Sequence, residues 1–169
     1  MIEIRLLKNE DELKQLIPVF KKAFAKHNMF EQSKEKVFEY LKKAKKEIAQ
    51  DDGDVIVAVD NGKIIGGLLL VKREKGEDKH SVWRFRHFAV LEKYHGKDIR
   101  TGLIQYAESQ LKEKIKQGTI KTAKIELHIA ENEKETPEYF KKKSYKLEGT
   151  LANHYRWGEN CYVMGKSIK

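Results

Sequence analysis

One cysteine, two prolines, three methionines and two tryptophans are all that the 169 residues contain of those types. A lone Cys161 cannot close an internal disulfide, which accords with a reducing compartment and excludes a cysteine zinc site. Pro18 and Pro137 are too few and too far apart for a proline-rich linker, and no repeat or low-complexity tract interrupts the chain. No apolar run approaches the roughly 18 residues of a membrane-spanning helix. The opening MIEIRLLKNE lacks the long apolar core of a signal peptide, so a cytoplasmic protein is expected. The length suits one domain, residues 1–169, with a full hydrophobic core, and is short for two.

Charge is what the sequence has in abundance. Charged residues make up 36% and hydrophobic ones 40%, and 35 basic against 26 acidic residues leave a net +9. Such a balance steers anionic ligands such as nucleotides, nucleic acids or acidic surfaces. The same lysines, spread along the whole chain, also make the lysine- and glutamate-rich surface that heat-adapted proteins use. The one dense basic cluster, YFKKKSYK, is late and short. Charge alone decides nothing here.

Periodicity says more. IEIRLL alternates, with Ile2, Ile4 and Leu6 on one face of a strand. From Asp11 to about Lys26, Leu13, Leu16, Ile17, Phe20 and Phe24 recur at helical spacing, with Pro18 inside. A second helix opens at Ser33 and carries Val37, Tyr40, Leu41, Ala44 and Ile48. Phe30, in the KHNMFEQ loop between them, is expected to pack inward. Two β-rich runs flank Asn61-Gly62, the pair favoured in a two-residue hairpin turn. HSVWRFRHFAV is the next strand, with Trp83, Phe85, His87 and Ala89 on one face. A basic turn and a helix to about Lys116 come next, with Ile99, Leu103, Ala107, Leu111 and Ile115 on one stripe and Gly118 after it. TAKIELHIA is a strand, Thr136 to Lys143 a short helix, and two strands close the chain. The order β-α-α-β-β-β-α-β-α-β-β predicts an α+β fold: a mixed, mostly antiparallel sheet with helices on both faces. The unit over residues 82–130 should be a parallel crossover, with ligand binding beside the carboxyl end of its first strand.

This order, with FAVLEKYHGKDIRTGLIQYAE at its centre, resembles the GNAT family of acyl-CoA-dependent N-acetyltransferases. The segment looks like the family's pyrophosphate motif, commonly L-A-V-x-P-x-x-R-G-x-G-I-G-x-x-L. TPEYFKKKSYKLEGTLANHYRWGENCYVMGK is similar to the family's A-x-x-F-Y-x-K-x-G-F and its closing strands. The resemblance implies acetyl-CoA as cosubstrate, held by Phe88, Ala89 and Val90 and by the turn His95, Gly96, Lys97, Asp98, Ile99, Arg100 and Thr101. His95 stands where the motif has Arg or Gln, Gly96 and Ile99 match, and Asp98 and Arg100 occupy the two glycine positions. Glycine there permits positive φ and close approach. Aspartate also enters the left-handed region, and its carboxylate would either cap the helix or point away from a phosphate. Arg100, His95 and Lys97 keep the turn basic.

Acetyl transfer to an amine needs a base, an oxyanion site and a proton for the leaving thiolate. The family's oxyanion donor is a backbone amide, which maps to Phe88–Val90. Its carboxylate base is replaced here by Arg86-His87. His87 can serve as that base, or it can be a packed core histidine. The family's thiolate-protonating Tyr falls on Phe140, which has no proton to give, so either another acid such as Tyr139 beside it or water serves, or the enzyme is slow. Cys161 is read as a small apolar strand residue. His80, His128 and His154 are too scattered for a metal site, and none is expected. His128 is expected to line the same cleft as His87. The partner implied is a small-molecule or peptide amine acceptor, with no nucleic acid or membrane partner and a monomeric or homodimeric chain. The missing glycines, missing carboxylate and Phe140 also fit a binding module on the same fold with little or no catalysis. A basic nucleic-acid-binding protein is the remaining alternative, its aromatics interleaving with basic residues only at WRFRHF.

Overall fold

The computed structural model describes residues 1–169. Its elements are β1 (Ile2–Leu6), α1 (Glu10–Ala23), α2 (Lys34–Gln50), β2 (Asp54–Asp60), β3 (Lys63–Lys75) and β4 (His80–Val90), followed by α3 (Ile99–Lys116), β5 (Thr122–Ala130), α4 (Thr136–Lys141), β6 (Lys146–Arg156) and β7 (Glu159–Ile168). The order is the predicted one, with one added 3-10 turn at Glu92–Tyr94. The seven strands form a mixed sheet in the order β1-β2-β3-β4-β5-β7-β6, an α+β fold. No helix is long and apolar enough to cross a membrane. The chain divides into two compact units, Met1–Lys72 with Phe85–Leu111 and Arg73–Arg84 with Lys112–Lys169.

In the first unit, the cap of α1 starts with Asn9, whose side chain accepts from the Glu12 amide at 3.0 Å. Glu12 reaches back to the Lys8 amide at 2.8 Å and takes Arg5 in a two-pronged pair at 2.7 and 3.0 Å. These hydrogen bonds, Arg5 foremost, hold the Glu12 carboxyl below its ordinary pKa against the opposing effect of burial. The helix tolerates Pro18 in its interior but ends at Ala23, three residues before the expected Lys26. Phe24 caps it, donating its amide to Phe20 at 2.8 Å. Ser33 caps α2 as expected, and Asn61 and Gly62 turn the β2–β3 hairpin with φ of 49° and 76°. Leu13, Leu16, Phe20, Phe30, Val37, Leu41, Val57, Leu69 and Ala89 form the core, so Phe30 packs inward as predicted. Each of the larger side chains among these contributes about 1.5–3 kcal/mol by leaving water.

In the second unit, β4 and β5 run parallel from His80↔Thr122 to Trp83↔Ile125. Trp83 is fully buried, and its indole N–H donates to Ser81 Oγ at 2.7 Å, so the largest core side chain leaves no polar atom unsatisfied. β5 pairs antiparallel with β7 from Ala123↔Ile168 to Ala130↔Cys161, and its burial alternates along its whole length. β6 pairs with β7 through a ladder interrupted between Leu151 and Arg156. Phe140 and Tyr145 are buried with ring centroids 5.2 Å apart.

Gly53 is a tight joint of the first unit, because the obstacle is backbone. A Cβ there would lie 2.5 Å from the Leu70 carbonyl oxygen and also meet Ile48 Cγ2. Replacing Gly53 with Ala should therefore cost about 1–3 kcal/mol, read as a lower urea midpoint at unchanged m.

Candidate active site

Within the first unit, β4 delivers Phe88, Ala89 and Val90 to a short connection that ends at the start of α3. Ala89 and Val90 are buried and Phe88 is half-buried. The Leu91 amide donates to Ile65 at 2.8 Å and ties the connection to β3. Tyr94 anchors it to β2, its hydroxyl donating to Asp60 Oδ2 at 2.9 Å, and that bond raises the Tyr94 pKa. His95 folds back, Nε2–H donating to the Val90 carbonyl at 2.8 Å. Gly96 then takes φ 82° with open space around it.

Asp98 comes next at φ 55°, the left-handed conformation that a glycine would adopt freely. Its carbonyl accepts the first helical bond of α3, from Gly102 at 2.9 Å. The amides of Gly96, Asp98 and Ile99 have no backbone acceptor, as expected where a helix begins. Around them His95, Lys97 and Arg100 are exposed, Thr101 is half-buried, and Ile99 is buried as an anchor. The Arg100 guanidinium stacks on Phe88, 5.5 Å from its ring centre, and so comes back over the end of β4. Phe88 to Thr101 thus form one strand-turn-helix surface, with unbonded amides at the turn and His95, Lys97 and Arg100 beside them.

His87 lies just before this surface and departs from the expected alternation. Its φ is 52°, so β4 bends there, and Ala89 and Val90 are buried side by side. The imidazole sits among aromatic rings, 4.9 Å from Phe30, 5.7 Å from Phe24 and 5.9 Å from Phe20. Its Nε2 is 2.7 Å from the Tyr40 hydroxyl, which also accepts from Arg86 Nη2 at 2.5 Å. Burial first, and then the Arg86 and His27 charges, push the His87 pKa down to about 4. The ring is therefore neutral at neutral pH, and the Tyr40 proton can point at Nε2. A group with this pKa holds a proton briefly at best. Tyr40 is the residue that sequence reasoning missed: the helical pattern counts it as one more stripe position, and nothing local marks a partner 47 residues away.

The second unit carries a polar cluster of its own. Glu126 Oε1 accepts from Arg84 Nη2 at 2.8 Å and pairs with His128 Nε2 at 3.0 Å. Burial works to raise the Glu126 pKa, but its Arg84 and His128 hydrogen bonds outweigh that and lower it. His128 is lowered, by burial above all. His154 stacks edge-on against His128 at 5.4 Å, and Tyr155 lies 3.9 Å from the Cys161 sulfur. Burial and the neighbouring thiol push the Tyr155 hydroxyl up to about 12. His80 stays apart, bonded to Thr122 at 2.8 Å, but His128 and His154 are not scattered. The β5-β7-β6 order brings them together with Cys161, which corrects the sequence expectation. Tyr139, also in this unit, is half-buried on α4 with Lys143 Nζ 5.2 Å from its ring centre, and Phe140 is buried.

A family model described as an acetyltransferase (GNAT) domain matches residues 51–146. Among solved structures, Naa50 from Arabidopsis thaliana in complex with the bisubstrate analogue CoA-Ac-MVNAL is similar, with a TM-score of 0.70 and 17% identity over 98% of this chain and 97% of that one. An aminoglycoside 6'-N-acetyltransferase complexed with coenzyme A gives 0.71 and 18% over 99% and 97%. The aminoglycoside 6'-N-acetyltransferase from Enterococcus faecium gives 0.72 and 18% over the same shares. A sequence comparison with curated proteins returns no match.

The half-buried neutral His87 has a consequence for acid stability. As pH falls below about 6.5 the unfolded imidazole takes a proton that the folded one refuses until about 4. Stability should therefore be full above that window and decline through it, by up to about 3 kcal/mol from this group. Urea unfolding between pH 7 and 4 measures the loss, and His87→Phe should flatten the slope.

Proposed function

The chain belongs to the GNAT acetyltransferase family, and on that premise we propose that it transfers an acetyl group from acetyl-CoA to an amine. The observation that carries the reading is the turn before α3, where Gly96, Asp98 and Ile99 present amides without backbone acceptors beside His95, Lys97 and Arg100. A helix start with free amides and nearby cations fits a pyrophosphate. Glycine is not needed at position 98 for conformation, since Asp98 already adopts the required φ. Position 100 lies inside α3, where a side chain can project from the helix and bring a cation.

In this reading the backbone of Phe88–Val90 orients the thioester and stabilises the oxyanion that forms when the amine attacks. His87 is the candidate catalytic histidine. Its low pKa suits it better to holding Tyr40 and Arg86 in place than to storing a proton, so the amine reacts as its free base, with water carrying the proton away. The departing thiolate takes a proton from water. Residues 1–169 act as one domain, which the near-complete coverage of the similar structures supports. The acceptor is a small-molecule or peptide amine, the two kinds named with those structures. A CoA-binding module with little turnover is the second reading, favoured by the depressed His87 and the buried Phe140.

Calorimetric titration with acetyl-CoA decides the first point: binding heat and a raised melting temperature are expected, and neither at millimolar ligand would overturn the reading. Arg100→Ala should weaken binding roughly tenfold to a hundredfold, the worth of a charge-assisted hydrogen bond. Asp98→Gly should tighten binding severalfold, because it removes a negative charge from beside the phosphate-binding amides. Turnover across a panel of small amines and peptides separates the enzyme from the binding module.

A further inference from the structure

Three potential metal ligands meet in the second unit from three different strands: His128 on β5, His154 on β6 and Cys161 on β7. One donor atom from each, an imidazole nitrogen from either histidine and the Cys161 sulfur, lies within 4.8 Å of the others. The sheet register accounts for the meeting. Ala130 pairs with Cys161, so Cys161 shares a face with His128 two residues along β5. The interruption of the β6–β7 ladder between Leu151 and Arg156 lets β6 bring His154 round to the same place. Asn153 stands at φ 51° in that interruption, and its side chain accepts from the Gly158 amide at 2.8 Å, which fixes the bend.

We propose that this cluster binds a borderline-soft divalent cation of the zinc class through His128, His154 and Cys161, leaving one position to water. The site does not depend on the acetyl-transfer reading. Two imidazoles and a thiolate select zinc over magnesium or calcium, which require oxygen ligands. Zinc holds nitrogen at about 2.0–2.1 Å and sulfur at about 2.3 Å, so the three donor atoms must close by about an ångström. His154, exposed on β6, supplies that movement, while buried Cys161 and half-buried His128 stay in place.

A second layer of contacts is already built. Glu126 holds His128 Nε2 at 3.0 Å and is itself pinned by Arg84 at 2.8 Å. That bond puts the proton on Nε2 and leaves the Nδ1 lone pair for the cation, the carboxylate–histidine arrangement that orients metal-binding imidazoles. Binding replaces the thiol proton of Cys161 with the metal, and the proton leaves to buffer. The sequence expectation of no cysteine-containing zinc site assumed that cysteines must supply the ligand set. Here one cysteine suffices because two histidines join it.

The test uses the untagged full chain, stripped with chelator and titrated with Co2+. One equivalent should bind with a thiolate-to-cobalt charge-transfer band, and Zn2+ should displace it. His154→Ala should weaken binding at least about tenfold, and Glu126→Gln by a similar factor. Cys161→Ser should abolish the band. Because Cys161 is buried, His154→Ala at its exposed position keeps the test decisive if that serine variant fails to fold. Cobalt uptake without a thiolate band, or an unchanged affinity in His154→Ala, would overturn the proposal.

Discussion

At His87 the main chain of β4 takes a left-handed turn that a non-glycine residue enters at a cost of about 1–3 kcal/mol. The bend persists because the imidazole is enclosed by Phe20, Phe24 and Phe30 and bonded to Tyr40 at 2.7 Å. Those rings come from α1, α2 and the loop between them, so the first unit's helical layer supports the strained backbone. The bend in turn governs the residues after it. It aims Phe88, Ala89 and Val90 into the connection and sets the turn whose amides open at the start of α3. A strand that continued its alternation through His87 would present different faces at every one of these residues.

The basic turn shows how a motif can change residues and keep its geometry. Positive φ at position 98 is a demand of the backbone, and aspartate meets it nearly as well as glycine. The demand at position 100 is different, because that residue lies inside the helix and projects its side chain. Arg100 lies back over Phe88, returning a cation to the end of β4. The net charge of +9 thus acquires a local meaning, with Lys97 and Arg100 gathered beside unbonded amides.

Much of the first unit is legible in the chain because its signals are local. Asn61-Gly62 marks a hairpin by the φ values those residues accept, and both take them. The stripe Ile99, Leu103, Ala107, Leu111 and Ile115 marks the inward face of α3 by its period; the first four are buried and Ile115 is half-buried. That Asp98 can enter the left-handed region follows from residue chemistry; that it does so at φ 55° is set by the turn. The role of Tyr40 does not, since its partner His87 lies 47 residues away and reaches it only after helix and strand have packed. The end of α1 is hidden from periodicity because Phe24 continues the apolar spacing while its backbone has already left the helix.

The second unit divides along the same line. Alternation in TAKIELHIA is enough to put Ile125, Leu127 and Ile129 on one face and Glu126 and His128 on the other. Cys161, read as a small apolar strand residue, lies on β7 and is buried. That His128, His154 and Cys161 face one another depends on the sheet order β5-β7-β6, on the pairing of Ala130 with Cys161 and on an interrupted ladder. Periodicity and residue type act over a few positions, and so the order of residues alone specifies the elements, their succession and the chemistry each can offer. Which side chains become neighbours, and whether a histidine stays neutral among aromatic rings or stands beside a thiol, is set by tertiary packing, because burial and distance exist only once the strands have been placed.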